Sequence, residues 1–424
     1  MAESYQEKFT RLEANSALHT LSGPDQEALK QLCFDNRFTH QELNRFIDTN
    51  TDLKLWGESS LLSHWQNWRK ESSLQGREFK KWAFGNMDSM VTKLRSEPTQ
   101  YTGDLGAGRK YPQKKFKIQS TNQDGTLFGM CPVQSRKTLC CNLRTIDAVK
   151  NCGFGCSYCS IQTMYTGENI LFDEDFAAKL DAIELDPNRE YHIGTGQSSD
   201  ALMWGNKNGI LDQMLDFARK WPNALIEFKT KSRNVDYFLG RNVPTNVLCS
   251  WSLNPDTVIR NEEHLTADLD QRLSAARKVA DKGILVSFHL HPMVHYEGWQ
   301  DEYLAMIERV QTEFTAAEIG FISFGSLTFP KPIIKKIRDT GFETKIHQID
   351  MVPNPEGKMT YPDEVKVEMF SLAYKAFSNW KDDVFFYLCM EEPKFWDKAF
   401  GWRFPDNEDF EQNLLKSVWN KIAA

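Results

Sequence analysis

From about residue 136 onward the chain alternates short β-rich runs with amphipathic helical segments, and this alternation limits its architecture more than any other feature. "EYHIGTG" is followed by "GILDQMLDFARKW", "ALIEFKTK" by "NVDYFLG", "NVLCSWSLN" by "ADLDQRLSAARKVADKG", and "ILVSFHLHP" by "WQDEYLAMIERVQTEF"; "IGFISFGSL" and "PKPIIKKIRD" come next. Strand then helix, repeated in this way, predicts βαβ units and a parallel sheet in an α/β fold. Reactive groups in such a sheet belong at the C-terminal strand ends, where the sequence places Gln197, Ser199, Lys231, Asn254, His289 and His291. No other internal repeat is visible.

The 424 residues exceed what one core usually reaches, so an added region is expected beside the α/β part. Residues 1–95 supply it as a helical N-terminal region. Leu29, Leu32, Cys33 and Phe34, then Phe46, Leu53 and Leu55, then Trp65, Trp68, Phe79 and Trp82 recur at helical spacing and read as core. Residues 96–135, rich in Gly, Pro, Lys and Gln, read as an irregular linker, and 136–424 as the barrel-forming domain with a C-terminal extension. No run of about 18 apolar residues occurs, and the N-terminus lacks a basic segment leading into an apolar one. A cytoplasmic protein with no membrane partner is expected. The net charge of −7 argues against a protein that coats nucleic acid non-specifically. The densest basic stretch, Arg109, Lys110, Lys114, Lys115 and Lys117, reads as a solvated loop.

Nine cysteines in a chain read as cytoplasmic point to metal or redox chemistry rather than disulfides. Three of them, Cys152, Cys156 and Cys159, form C-x3-C-x2-C in "NCGFGCSYCSIQTMY". A zinc site needs a fourth ligand, and neither a second C-x2-C nor an H-x3-H pair follows at the usual distance. A [4Fe–4S] cubane held by three thiolates leaves one iron open to a substrate or cofactor. Gly153 and Gly155 let the backbone wrap a bulky cluster, and Tyr158 supplies an aromatic wall. The run falls after "LRTIDAV", on the first β/α connection.

This motif resembles that of the radical S-adenosylmethionine enzymes. The resemblance implies a partial (β/α)6 barrel, with the amino and carboxylate groups of S-adenosylmethionine chelating the open iron. It also implies an electron donor of the flavodoxin or ferredoxin type. "GTGQSSDAL", "FKTKSRNVD", "SWSLNPDTVIRNEE", "GILVSFHLHPMVHYEGW" and "YLCMEEPKFW" further resemble the spore photoproduct lyase branch, over about 140 to 400. Carried over by motif, Ser199, Lys231 and Ser252, with neighbouring Asn254, become candidates for holding S-adenosylmethionine. Lys231 would pair with its carboxylate, and the serines would offer hydroxyls. The lyases place a hydrogen-donating cysteine and a radical-relaying tyrosine where this chain has Gln197 and Ser160, while Tyr158 matches a second relay tyrosine. The resemblance thus implies retained cofactor machinery and altered substrate chemistry, with a nucleobase as candidate substrate.

Cys131, Cys140 and Cys141 lie shortly before the cluster run and read as buried or substrate-facing thiols. Cys141 is the candidate to replace the missing hydrogen donor. Cys249 and Cys389, in apolar runs, read as core. His289, His291 and His295 suit metal ligation, acid–base work or simple hydrogen bonding to a substrate. Two further readings stay open: lesion repair in DNA with a different hydrogen donor, and a non-catalytic iron–sulfur or zinc protein binding nucleic acid or a partner through its helical N-terminal region.

Overall fold

The computed structural model describes residues 4–101, 116–123, 126–132, 134–164 and 169–424. The chain divides into two compact units, residues 1–100 with 334–350, and residues 101–333 with 351–424. Of the basic stretch only Lys117 is among the described residues.

In the first unit, helices α1 (Tyr5–Ala14), α2 (Gly23–Asn36), α3 (His40–Leu55), α4 (Leu61–Glu71) and α5 (Gly76–Ser96) follow one another through short turns. Ser4, Ser22, Thr39 and Ser60 cap the first four by accepting a backbone N–H, and Glu7 and Glu42 complete reciprocal capping boxes. The rings of Phe38, Phe46, Trp65 and Phe84 meet at tilted or edge-on angles with centroids 5.3 to 5.9 Å apart, forming the core. Trp82, expected inside, is 36% exposed.

Residues 334–350 join this unit through Asp52. Its carboxylate accepts from Arg338 Nε at 2.7 Å and Nη2 at 2.8 Å and lies 3.1 Å from His347 Nε2. Burial opposes the charge, yet the hydrogen bonds from Arg338 and His347 hold the carboxyl down at about 2. Because the folded value lies below the ordinary one, this stabilisation is present above about pH 4 and is lost as pH falls toward 2. Asp52→Asn is expected to cost about 2 kcal/mol at pH 7 and little near pH 2, read from urea midpoints. An equal loss at both pH values would refute the assignment.

In the second unit, eight strands form one sheet: β1 (Phe128–Met130), β2 (Arg144–Ile146), β3 (Tyr191–Thr195), β4 (Ala224–Thr230), β5 (Val247–Ser252), β6 (Leu285–Met293), β7 (Ile319–Ser326) and β8 (Phe385–Leu388). Their spatial order is their sequence order. Strands β2 to β8 are parallel and β1 is antiparallel to β2. The inner strands are buried on nearly every residue, as helices on the crossover connections require. The six strands expected from the sequence are β2 to β7; β1 and β8 add one at each edge, each too short to show a period. Beyond these edges an isolated antiparallel bridge pairs Leu139 with Glu391. The final helix, Asn407–Ala423, fastens the same region: Asn407 Oδ1 accepts from Cys140 N at 2.9 Å, and Glu411 Oε1 from Arg144 Nη1 at 2.7 Å.

Candidate active site

The cysteine run leaves the sheet after β2 and is stapled in place by residues 262–264. Gly155 and Cys156 pair antiparallel with His264 and Glu263, Ser157 N donates to the Glu262 carbonyl at 2.8 Å, and Ser157 Oγ lies 3.2 Å from His264 Nε2. Gly153 packs closely: a Cβ there would lie 2.6 Å from the flexible end of Met203, at Cε, and 3.3 Å from the Trp204 ring. Cys152, Cys156 and Cys159 line one cleft at the C-terminal strand ends. It encloses about 1100 Å³, counting its open mouth, at the upper end of small-molecule sites. Among the described residues no three His, Cys, Asp or Glu side chains gather round a point that could hold a single ion. Three thiolates lining one cleft are a donor set that suits a [4Fe–4S] cubane with one iron left open.

Ser199, Lys231 and Ser252 line the same cleft. Asp200 orders the first two by accepting from Lys231 N at 2.6 Å, Thr230 Oγ1 at 2.8 Å, Met203 N at 2.9 Å and Leu202 N at 3.0 Å. Behind this wall sits Glu263, wholly buried. Its Oε1 accepts from Asn254 Nδ2 at 2.8 Å and from the Tyr158 hydroxyl, with Lys231 Nζ 3.6 Å away; Oε2 accepts from Arg272 Nη2 at 2.5 Å. Burial works against the charge, but Arg272 and Lys231 hold the carboxyl down at about 2. Asn254 is therefore not on the cleft wall: it is fully buried and spent on Glu263 and on Tyr303, whose hydroxyl donates to its Oδ1 at 2.7 Å. Tyr158 is likewise bonded behind the wall, its ring 5.7 Å from Lys231 Nζ. Burial, then the Glu263 charge, pushes its hydroxyl well above the ordinary value.

The same cleft is also lined by Cys131, Cys140, Cys141 and Cys389. Cys389, expected in the core, instead follows β8 to the cleft wall; Cys249, on β5, is fully buried as expected. Gln197 reaches the cleft, as do His289 and His291, whereas His295 packs against Trp299 and Tyr361.

Sequence reasoning missed Glu227, His192 and Lys229. Glu227 sits inside the barrel on β4, 2.8 Å from His192 Nε2 and 2.7 Å from His289 Nε2, and accepts from Ser250 Oγ at 2.6 Å. Lys229 Nζ is 3.7 Å from it. The signal was a glutamate and a lysine two apart in the otherwise apolar "ALIEFKTK", costly to bury unless partnered.

The family profile described as spore photoproduct lyase matches residues 145–350. The spore photoproduct lyase of Bacillus subtilis strain 168 is 31% identical over 256 residues, 56% of this chain and 72% of that protein. Those of Geobacillus sp. strain Y412MC61 and Clostridium acetobutylicum are 24% and 25% identical, and the chain spans 61% and 59% of their lengths. A solved spore photoproduct lyase complexed with dinucleoside spore photoproduct shares the fold, with TM-score 0.56 and 20% identity over 68% of this chain and 88% of that one. A solved double mutant with bound AdoMet and dinucleoside spore photoproduct aligns equally well. No helix among the described residues is long and apolar enough to cross a membrane.

Proposed function

Since the chain belongs to the spore photoproduct lyase family, we propose that it is a radical S-adenosylmethionine enzyme of lyase type acting on a nucleobase or DNA lesion. The observation that carries this is a single cleft lined by Cys152, Cys156, Cys159, Ser199, Lys231 and Ser252. The three cysteines hold three irons of a [4Fe–4S] cluster and leave the fourth for the cofactor. When bound, cluster and S-adenosylmethionine together supply a 5′-deoxyadenosyl radical that abstracts a hydrogen atom from the substrate.

The chain's own residues position and shelter. Lys231 offers its ammonium to the methionine carboxylate, and Ser199 and Ser252 offer hydroxyls. Glu263 aims Lys231, with Tyr158 and Asn254 bonded to it; these two support the site from behind the cleft wall. Gln197 stands where the lyases carry a cysteine, and Cys141, which lines the same cleft, serves as hydrogen-atom donor in its stead. The bound dinucleoside of the solved relatives supports a nucleobase substrate. Electrons come from a flavodoxin- or ferredoxin-type donor.

Lys231→Ala is expected to weaken S-adenosylmethionine binding by about tenfold to a hundredfold, the worth of one charge-assisted hydrogen bond, in equilibrium binding to the cluster-loaded protein. A change under about twofold would remove Lys231 from the cofactor site. The whole reading is tested by anaerobic reconstitution with iron and sulfide, followed by S-adenosylmethionine and dithionite, with dinucleoside spore photoproduct as the probe substrate. Formation of 5′-deoxyadenosine is expected. Zinc in place of iron, or a cluster-loaded protein that yields none, would overturn it.

A further inference from the structure

The mechanism above leaves the buried charged assembly under the cleft floor without a task. From His192 onward its geometry is continuous. Cys141 lies beside the His192 imidazole, whose buried Nδ1 makes no hydrogen bond among the described residues. His192 Nε2 is 2.8 Å from Glu227 Oε2, and Glu227 Oε1 is 2.7 Å from His289 Nε2. His289 Nδ1 is 2.6 Å from Ser323 Oγ, which is 3.0 Å from His291 Nε2, back on the cleft wall. Strands β3, β4, β6 and β7 each contribute, so the chain of contacts crosses half the sheet. Three histidines, a carboxylate and a hydroxyl can each accept and donate a proton in turn.

Resting on the proposed radical reading, we propose that Cys141 is a rechargeable hydrogen-atom donor whose proton is resupplied through His192, Glu227, His289, Ser323 and His291. In the first step the Cys141 Sγ–H bond breaks homolytically. The hydrogen atom forms a C–H bond at the carbon radical, and a thiyl radical remains. In the second step one electron, from the same class of low-potential iron–sulfur or flavin reductant, reduces the thiyl to a thiolate, and a proton from His192 restores Sγ–H. His192 regains its proton along the chain from the cleft side. One electron and one proton are consumed for each hydrogen delivered.

The charge distribution suits this order. Burial alone would lower His192, but Cys141 and Glu227 raise it to about 9, so the proton rests beside the thiol. Burial keeps His289 below the ordinary imidazole value against the opposing Glu227 charge, and burial with His289 and Lys229 nearby keeps His291 well below it. Cys140 and burial keep Cys141 well above the usual thiol range, so its S–H bond is intact.

The test uses the reconstituted full chain in D2O with S-adenosylmethionine and dithionite and no added substrate, so that the adenosyl radical itself accepts the hydrogen. The wild type is expected to yield more than one 5′-deoxyadenosine per chain, each carrying deuterium from the exchangeable thiol. Cys141→Ala should lower the deuterium content by about tenfold. His192→Gln should give a first, deuterated equivalent and then slow by about tenfold, a burst that a purely structural defect would not produce. In the cofactor-free protein, Cys141→Ser should move the ring-nitrogen NMR signals of His192. Unchanged deuterium in Cys141→Ala, a wild-type steady rate in His192→Gln, or unmoved His192 signals would overturn the relay while leaving the radical reading standing. No 5′-deoxyadenosine from the wild type would instead overturn both.

Discussion

Cys156→Ala is expected to leave the protein folded and to abolish 5′-deoxyadenosine formation. The thiol lies on a two-residue strand whose backbone pairs with Glu263 and His264, and alanine keeps those bonds. A cubane that loses one of three protein thiolates loses its anchorage and the register of its open iron. Even partners of metal ligands cost about 10- to 100-fold when removed, so the loss of a ligand should exceed about 100-fold. Iron and sulfide content, 5′-deoxyadenosine yield and a circular-dichroism melt together check it. Iron near the wild-type level in this variant would show that Cys156 is not a ligand, whatever happens to activity.

The second large effect is expected at Glu263. Arg272 is fully buried, and besides Glu263 it donates to the Ala267 carbonyl through Nε, the Ser252 carbonyl through Nη1 and the Thr266 hydroxyl through Nη2. Glu263→Ala would strand that guanidinium without its counter-charge, and breaking a buried pair in this way costs about 3–5 kcal/mol. For a unit of this size the thermal midpoint should fall on the order of 10 °C. Tyr158, Asn254 and Lys231 would lose their common acceptor together, so S-adenosylmethionine binding should fail in whatever protein remains folded. Glu263→Gln keeps the shape and one acceptor, and should separate the two effects by binding weakly while melting higher than the alanine variant. A midpoint within about 2 °C of wild type for Glu263→Ala would show that the cluster loop and Arg272 are held by other means.

Much of this was legible because it is periodic or closely spaced. The six inner strands announce themselves by alternation with helices, and C-x3-C-x2-C names its chemistry within eight residues. Ser199, Lys231 and Ser252 were picked out by resemblance to the lyase motifs, and the fold brings all three to one cleft. What stayed hidden depends on contacts distant in sequence. Asn254 looks the same on paper whether it faces a cofactor or Glu263, and only the fold shows that Tyr303 and Glu263 take both ends of its amide. Cys389 lies in an apolar run, yet the turn after β8 brings it to the cleft. Residues 334–350 are continuous in sequence with the barrel but pack with the helices, through a bidentate Arg338 and Asp52 that are 286 positions apart. Glu227 is visible in the sequence as a charge within a strand, but its partners His192, Ser250 and His289 lie on other strands and only the fold brings them together.

The pairing of Leu139 with Glu391 and the grip of Asn407 on Cys140 also bear on how the protein is made. Residues near 140 leave the ribosome long before those near 407, so the thiols of Cys140 and Cys141 have no finished pocket to enter until the last helix has been synthesised. During that interval they are more exposed to oxidants and to wrong disulfide partners than in the completed protein, where both are buried in the cleft wall. Synthesis under anaerobic conditions, or with a reductant present while the chain matures, should therefore raise the fraction of molecules with both thiols intact.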